Sequence, residues 1–462
     1  MKFHRFYRNI LIASTDVVCV CFFLLIPLWF NYLTTENNFF DNTLSLLIVP
    51  AVIFLINNFS GLYGGNFFYP GIGVGKVEEL KRLTLSIFSG YGALFAFLFQ
   101  TGQMALFDYR FLLIALLVTL PVAPLCRFVC RHLLNVFPGS RTPVLIAGAG
   151  KVGRAVALEV SKDNYYGFSV AGFLDDKKSG QDICGPLSRA VDIAKEKNIS
   201  YLIVCIPPHH LGRYFNAFLR YFKHIMLASP QRALPIMWTR TLSLGYTAAF
   251  EINNRLRMKL LRLCKKIFEI TLALFMLPFI LLLGSVIAVL IKINSSGPIF
   301  YRADRIGKNG KKIRILKFRT MYHNADDLLE ELLENDPELK KEWMKKFKLT
   351  NDPRITPLGR FLRRTSLDEL PQFWNVLTGD MAIIGPRPIV EAEMHYYGDD
   401  FQVFSVVKPG ITGLWQISGR SDLDYSDRVN LDVYYVCNWS LWLDYFIFLK
   451  TLVCVLACRG AY

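Results

Sequence analysis

Four apolar runs, at about 10–32, 44–63, 83–101 and 111–134, occupy the first third of the chain, and each approaches the roughly 20 residues that a helix needs to cross hydrocarbon. A backbone N–H or C=O left unpaired in lipid costs several kcal/mol, so a segment of this kind spans as an α-helix. Composition supports the reading: charged residues make up 19% of the chain, against roughly 25% in soluble domains. Disordered, collagen-like and small disulfide-framework chains are excluded. Lys2, Arg5 and Arg8 precede the first run, Lys76, Lys81 and Arg82 lie between the second and third, and Arg127, Arg131 and Arg141 follow the fourth. The other two connections, around Glu36 to Asp41 and Gln100 to Tyr109, are almost free of Lys and Arg, so both ends of the bundle are expected on the cytoplasmic side. Asp16, inside the first run, reads as a helix-end carboxylate near the interface. The first run is too long for a cleavable signal peptide and lacks a small-residue cleavage site. The ten cysteines show no zinc-ligand spacing and are expected as reduced, buried thiols.

A fifth apolar stretch, Ile267 to Ile293, has the length of a span but cationic flanks on both sides. Six Lys and Arg precede it, from Arg255 to Lys266, and seven follow, from Lys292 to Arg314. Pro278 stands near its middle, where proline removes a helix hydrogen bond and forces a kink. A re-entrant helix that turns at Leu277-Pro278 and leaves on the side it entered satisfies both facts.

Between bundle and hairpin lies an α/β pattern. A strand over Thr142 to Ala147 runs into Gly148-Ala149-Gly150-Lys151-Val152-Gly153 and a helix; a second strand, Ser169 to Leu174, ends in Asp175-Asp176; a third covers Tyr201 to Ile206. Gly148, Gly150 and Gly153 with a downstream acid form a dinucleotide fingerprint, a weak nucleotide-site candidate in about half of a dinucleotide fold. A degenerate, structural or regulatory Rossmann-like module is the favoured reading. A membrane-bound NAD-dependent sugar-nucleotide oxidoreductase is the rival, weakened because no tyrosine is followed by Lys at i+4.

The chemistry-bearing residues cluster after the hairpin. Lys317-Phe318-Arg319-Thr320-Met321 precedes an acidic, amphipathic insert (Ala325 to Phe347); then come Asp352-Pro353-Arg354 and Gly359-Arg360-Phe361-Leu362-Arg363-Arg364-Thr365-Ser366-Leu367-Asp368-Glu369-Leu370-Pro371-Gln372. Gly385-Pro386-Arg387-Pro388 and Gly413-Leu414-Trp415-Gln416, with Arg420 beyond, follow. Ser366-x-x-Glu369 before an apolar helix reads as a capping box, which puts Asp368 and Glu369 in a first helical turn whose free N–H groups suit phosphate. Arg354, Arg360, Arg363 and Arg364 add charge suited to phosphate oxygens. Adjacent carboxylates on a helix point about 100° apart, so separate roles are natural: one attacks phosphorus and the other holds a Mg²⁺ that bridges a diphosphate. On these residues alone, carboxylates that merely cap a helix and pair with arginine explain the pattern equally well, as they would in a non-catalytic membrane scaffold.

From about Arg262 to the end, the motifs Ser366-Leu367-Asp368-Glu369-Leu370-Pro371-Gln372, Gly385-Pro386-Arg387-Pro388 and Gly413-Leu414-Trp415-Gln416, in that order, resemble the bacterial sugar transferases, or polyprenyl glycosylphosphotransferases. The layout of the whole chain, with its Arg459-Gly460-Ala461-Tyr462 ending, resembles the long, galactose-using members. The resemblance implies transfer of a hexose-1-phosphate from a UDP-sugar to undecaprenyl phosphate through a phospho-aspartate, with release of UMP, at the start of O-antigen, capsule or exopolysaccharide synthesis. Galactose is favoured, with UDP-glucose the alternative. Asp368 then matches the nucleophile and Glu369 its partner acid at Mg²⁺; Lys317, Arg319, Arg363, Arg387 and Arg420 match basic substrate-binding positions, and Pro278 the helix-breaking proline. Glu269 and the Ala303-Asp304 pair depart from the family pattern near the membrane surface.

The expected architecture is thus a membrane α-helical bundle plus α/β: four transmembrane helices in 1–138, a Rossmann-like cytoplasmic domain in 139–250, and a mainly α catalytic domain in 251–462 with the re-entrant helix at about 267–293. The Trp439 to Leu456 stretch, interrupted by Asp444 and Lys450, is expected as an interfacial helix. The expected location is the bacterial inner membrane with the catalytic domain on the cytoplasmic face, and a homodimer through the soluble insert is expected from the resemblance. The +16 net charge is absorbed by cytoplasmic flanks and phosphate-binding arginines, so no nucleic acid is needed to explain it.

Overall fold

The computed structural model describes residues 2–34, 46–63, 75–103, 109–136, 141–162, 166–178, 180–228, 238–244, 247–323, 325, 334, 352–419 and 423–456. Two compact units result, Met1–Arg232 and Ala233–Tyr462. The division falls before the expected boundary at 250, since the indole N–H of Trp238 donates to the Trp439 carbonyl (2.8 Å) within the second unit.

The first unit opens with four helices, α1 (Lys2–Thr34), α2 (Ile48–Phe59), α3 (Lys76–Gln100) and α4 (Tyr109–Val136). Within α1, α3 and α4 lie stretches long and apolar enough to cross a membrane, whereas α2 has 12 residues. The second expected span therefore falls short among the described residues, because twelve residues rise only about 18 Å. Ile53, Ile87, Tyr91, Leu94, Leu98 and Leu112 form the dry centre of the bundle. Gly90 admits the close approach of α2 and α3, since a Cβ there would press on Ile53 and the Val49 carbonyl.

Asp16 is packed among these helices. It is 1% exposed and is ion-paired with Arg127 of α4. Arg127 also donates to Glu79 of α3 (2.5 Å) and to the Leu62 carbonyl (2.9 Å), Arg131 pairs with Glu79 (3.0 Å), and Tyr63 donates its hydroxyl to Asp16 (2.9 Å). Charges this far from water persist only when paired, so the network fixes the register of three helices against one another.

The same unit continues with β1 (Thr142–Ala147), α5 (Lys151–Lys162), β2 (Phe168–Leu174), β3 (Ile183–Gly185), α6 (Ala190–Glu196), β4 (Tyr201–Val204), α7 (Pro208–Tyr221) and β5 (His224–Leu227). The strands form one parallel sheet in the order β3-β2-β1-β4-β5. All six residues of β1 are buried, as both faces of a parallel sheet demand. The three expected strands are present, and β3 and β5 extend the sheet at its two edges.

The second unit begins with the antiparallel pair β6 (Thr239–Leu244) and β7 (Thr247–Ile252), followed by α8 (Lys259–Asn294). Helix α8 is 36 residues long and contains Pro278. Its middle is bare: Phe275, Phe279, Leu281 and Leu282 are exposed, while Glu269 and Ala273 on one side and Ile287 and Ile291 on the other are buried against this unit. In its described residues the unit is mostly helical, with three two-stranded pairs among its helices. Strands β8 (Phe300–Ile306) and β9 (Lys312–Phe318) pair antiparallel, with Ile313 and Ile315 buried between exposed Lys312 and Arg314. Helices α9 (Pro357–Thr365) and α10 (Gln372–Thr378) follow, then the parallel pair β10 (Ala382–Ile384) and β11 (Gly410–Thr412), and finally α11 (Tyr425–Cys437) and α12 (Leu441–Leu456). The 16 residues of α12 bury Asp444 and Ile447 and expose Leu452, Val453 and Val455. The acidic insert lies almost wholly outside the described residues.

Replacing Arg127 with Met strands Asp16 and Glu79 without their shared cation, an expected loss of about 3–5 kcal/mol. Thermal unfolding of the detergent-solubilised chain should show a clear fall in midpoint, while Lys81→Met, at a half-exposed pair with Glu78, leaves it within a degree or two. Equal midpoints for the two variants would show that the network does not hold the bundle.

Candidate active site

The turn that carries Asp368 and Glu369 is set by its neighbours. Thr356 caps α9 by accepting the Gly359 N–H (2.9 Å), with Pro357 preorganising the first turn. At the far end Ser366 takes φ +58, and its N–H returns to the carbonyls of Arg363 and Leu362. Ser366 thus closes α9 instead of opening α10, and its side chain makes no capping bond. The expected capping box is not formed, because the left-handed residue that ends one helix cannot supply the extended backbone of an N-cap. Leu367, Asp368 and Glu369 form a 3₁₀ turn between the helices.

That turn is anchored from below. Leu367 and Leu370 pack against a core of Ile287, Ile291, Phe318 and Leu362. Asp368 is left 8% exposed, and its carboxyl is pushed up to about 6: burial raises it, Lys317 lowers it, Glu369 raises it and Arg363 lowers it. Freed from capping, Glu369 meets the Lys317 ammonium at 2.7 Å. Arg363 is steadied by its Nε–H bond to Thr320 Oγ1 (2.9 Å).

Beside the turn is a small open pocket walled by Arg305, Lys317, Glu369, Gln372, Arg387 and Gln416, with Ile315, Pro388 and the Gly410-Ile411 backbone completing it. Arg387 sits over the Trp415 ring (5.5 Å), and Arg428 also lies over that ring (5.0 Å). Burial and the charge of Arg387 together hold Arg305 below its ordinary value. Glycine makes the enclosure possible, since a Cβ on Gly385 would meet the Lys408 carbonyl and the Gly410 nitrogen. Three convergent cations and an adjacent carboxyl of raised pKa suit a ligand with several negative oxygens.

Lys317, Glu369 and Arg387 are therefore brought to one pocket beside the turn that carries Asp368, while Asp368 and Arg363, whose charges act on each other, do not line it. Arg319 is placed elsewhere: it is buried and donates to the Ser295 carbonyl (2.8 Å), the Ser295 hydroxyl (2.8 Å) and the Ser296 carbonyl (2.6 Å) at the end of α8. Pro278 lies mid-helix in α8 and does not line the pocket. Arg420 lies outside the described residues. Of the other arginines, Arg354 is bidentate to Asp352 (2.8 and 2.7 Å) and buried, while Arg360 and Arg364 are exposed. Gln372 and Gln416 lie within the quoted motifs and Arg305 only among the cations that follow the hairpin; spacing singles out none of the three, and the Ile306–Ile389 bridge brings Arg305 toward Arg387.

In the first unit, Gly148 has φ +105 and Gly153 lies so close to the Gly148 carbonyl that no Cβ fits, while Gly150 faces open space. The acids that a dinucleotide ribose would need are engaged within the protein. Asp175 accepts the N–H groups of Ala149 (2.8 Å), Lys177 (2.9 Å) and Lys178 (3.0 Å), and Asp176 accepts the Leu187 N–H (2.7 Å) and the Tyr214 hydroxyl (2.8 Å).

The Asp368 shift carries a stability consequence. The fold favours the protonated carboxyl, so ionisation above pH 6 opposes folding. Asp368→Asn is expected to be more stable than the parent at pH 8 by on the order of 2–3 kcal/mol, with the difference closing below about pH 4. Thermal midpoints across pH check this; an Asn variant that is less stable at pH 8 would refute it.

The family described as bacterial sugar transferase matches residues 260–458. The undecaprenyl-phosphate galactose phosphotransferase of Salmonella typhimurium is 37% identical over 74% of this chain and 74% of its own. The UDP-galactose-lipid carrier transferase of Erwinia amylovora is 34% identical over 75% of each chain. The UDP-glucose:undecaprenyl-phosphate glucose-1-phosphate transferase of Escherichia coli is 32% identical over 68% of this chain and 69% of its own. With a relative this similar over about three quarters of both chains, and with the motif residues Lys317, Glu369 and Arg387 gathered in one pocket beside Asp368, the chain belongs to the bacterial sugar transferase family.

Proposed function

We propose that this protein transfers a hexose-1-phosphate, galactose-1-phosphate in first place, from a UDP-sugar to undecaprenyl phosphate at the cytoplasmic face of the bacterial inner membrane. The observation that carries the reading is the Asp368 carboxyl, buried, poised near pH 6 and set beside a pocket with three cations. Above pH 6 it is an ionised nucleophile that has shed its water. Its oxygen attacks the sugar-bearing phosphorus; the bond from that phosphorus to the bridging oxygen breaks, and UMP leaves with the oxygen. The lipid phosphate oxygen then attacks the phospho-aspartate, the Asp368 oxygen leaves as carboxylate, and a lipid diphosphate sugar results.

Arg305, Lys317 and Arg387 are placed to receive the diphosphate oxygens, and Arg363 steadies the reacting carboxylate. The donor set fits a Mg²⁺ that arrives with its substrate: among the described residues no cluster of three or more metal-ligating side chains exists, and Mg²⁺ at phosphate sites commonly takes one or two carboxylates plus phosphate oxygens. Glu369 would hold it, and the ion supplies charge neutralisation on the diphosphate. Both ends of α8 are buried against one unit while its apolar middle is bare, which supports a membrane segment that enters and leaves on the same side. The parallel sheet is read as a Rossmann-like structural or regulatory module, since Asp175 and Asp176 are taken up internally. Galactose is preferred to glucose because the galactose-named relatives are the more similar of the three compared.

Purified protein with undecaprenyl phosphate should release UMP from UDP-galactose faster than from UDP-glucose or UDP-N-acetyl sugars, and should exchange labelled UMP into UDP-galactose without lipid. Absence of exchange in active enzyme would remove the phospho-aspartate. Asp368→Asn is expected to lose both activities by at least about a thousandfold. The rate should fall on the acid side with a midpoint near pH 6. Lys317→Met, which removes an influence lowering the Asp368 pKa, should move that midpoint upward. Glu369→Gln should raise the Mg²⁺ concentration needed for half-maximal rate.

A further inference from the structure

We propose that α8 is a positioning element for the diphosphate pocket, with Lys265, Glu269 and Arg319 as the residues that fasten its two ends to the two pieces of chain carrying the pocket cations; the idea rests on the reaction proposed above.

At the entering end, Glu269 accepts the N–H groups of Ile383 (3.1 Å) and Ile384 (3.3 Å), as a neighbouring strand would. Lys265 donates to the Ile384 carbonyl (2.9 Å) and pairs with Glu269 (3.1 Å) and Asp444 (2.8 Å). Asp444 is held in turn by the Tyr435 hydroxyl (2.7 Å) and the Trp439 indole N–H (2.9 Å). All of this grips β10, and Arg387 lies three residues beyond it. At the leaving end, the Arg319 guanidinium spans the carbonyls of Ser295 and Ser296, where a cation is also favoured by the helix dipole. Gly297, at φ +115, allows the chain to turn over that guanidinium, which any Cβ would strike. Arg319 is two residues from Lys317, and Ile287 and Ile291 support Leu367 and Leu370 on either side of Asp368.

One end of a single helix thus holds Arg387, and the other holds Lys317 and Asp368. The spacing between the cations that meet the substrate's oxygens follows from how α8 is seated, and a misplacement of about 1 Å in such a set is enough to be felt kinetically. Arg319, which the motif alone assigns to phosphate, is a positioning residue here.

The experiment measures KM for UDP-galactose and kcat for UMP release, with thermal midpoint, in Glu269→Gln, Arg319→Lys and the parent. The positioning role predicts KM raised by about tenfold with kcat changed less than about threefold, at nearly parental midpoints. A purely structural role gives a lower apparent kcat with unchanged KM, as the folded fraction falls, and that result overturns the inference. Should the variants not fold, the parent is assayed in nanodiscs of short-chain and long-chain lipid. A KM that shifts with bilayer thickness supports the inference, and a KM indifferent to thickness overturns it. A parent that releases no UMP from any UDP-sugar overturns the proposed reaction, and this inference with it.

Discussion

Hydrocarbon supplies no hydrogen-bond partner, and the rest of this structure is arranged around that fact. Among the described residues, α1, α3, α4 and α8 are apolar helices long enough to enter a membrane, and the buried charges of the helical bundle are paired. Asp16, Glu79, Arg127 and Arg131 are mutually paired, with Tyr63 and the Leu62 carbonyl taking further valences. The same condition governs α8, whose polar partners gather at its two ends while its exposed middle is mainly apolar, with the Ser285 hydroxyl bonded back to the Leu282 carbonyl. Lys265 and Glu269 at one end and Arg319 at the other bond to backbone groups, so the points where α8 meets the polar part of the chain are also the points where it is attached.

Electrostatics in the pocket follows from a balance between burial and charge. Burial pushes the Asp368 carboxyl up, Lys317 and Arg363 pull it down and Glu369 raises it again, and the balance lies at about 6. The carboxyl is therefore ionised at neutral pH yet poorly solvated, the condition a carboxylate nucleophile requires. The cations that achieve this are tied in place, Lys317 by Glu369 and Arg363 by Thr320. Arg305 and Arg387 repel each other across the pocket, a repulsion that an anionic ligand relieves.

Local sequence pattern accounts for some elements of this fold and not for others. The long membrane segments and the first βαβ unit follow from local periodicity, and α1, α3, α4, β1, β2 and β4 lie where apolar runs and glycine signals put them. Ser366 illustrates the limit. Its S-x-x-E spacing fits a helix start, but the preceding helix claims it as a left-handed terminus, a choice made by the packing of Leu362 and Leu367 against Ile287 and Phe318. Arg319 is a second case, indistinguishable from Lys317 in its motif yet turned to the end of α8. Asp16 is a third: its partner lies 111 residues away, a separation no local pattern spans.

The sequence by itself determined that the chain carries helices apolar enough to enter a membrane, with cationic flanks, and that Asp368 and Glu369 lie together in a short arginine-rich segment. Those properties depend on residue type and short spacing, where lipid solvation and helix periodicity act directly. Only the tertiary structure decided which arginines line the pocket, that Arg305 joins Arg387 and Lys317, that Glu369 pairs with lysine instead of capping a helix, and that α8 is fastened at both ends to the segments carrying the pocket cations. Those outcomes depend on strand pairing and on burial by distant segments, and the free energy of a charge changes far more with its surroundings than with its neighbours in sequence.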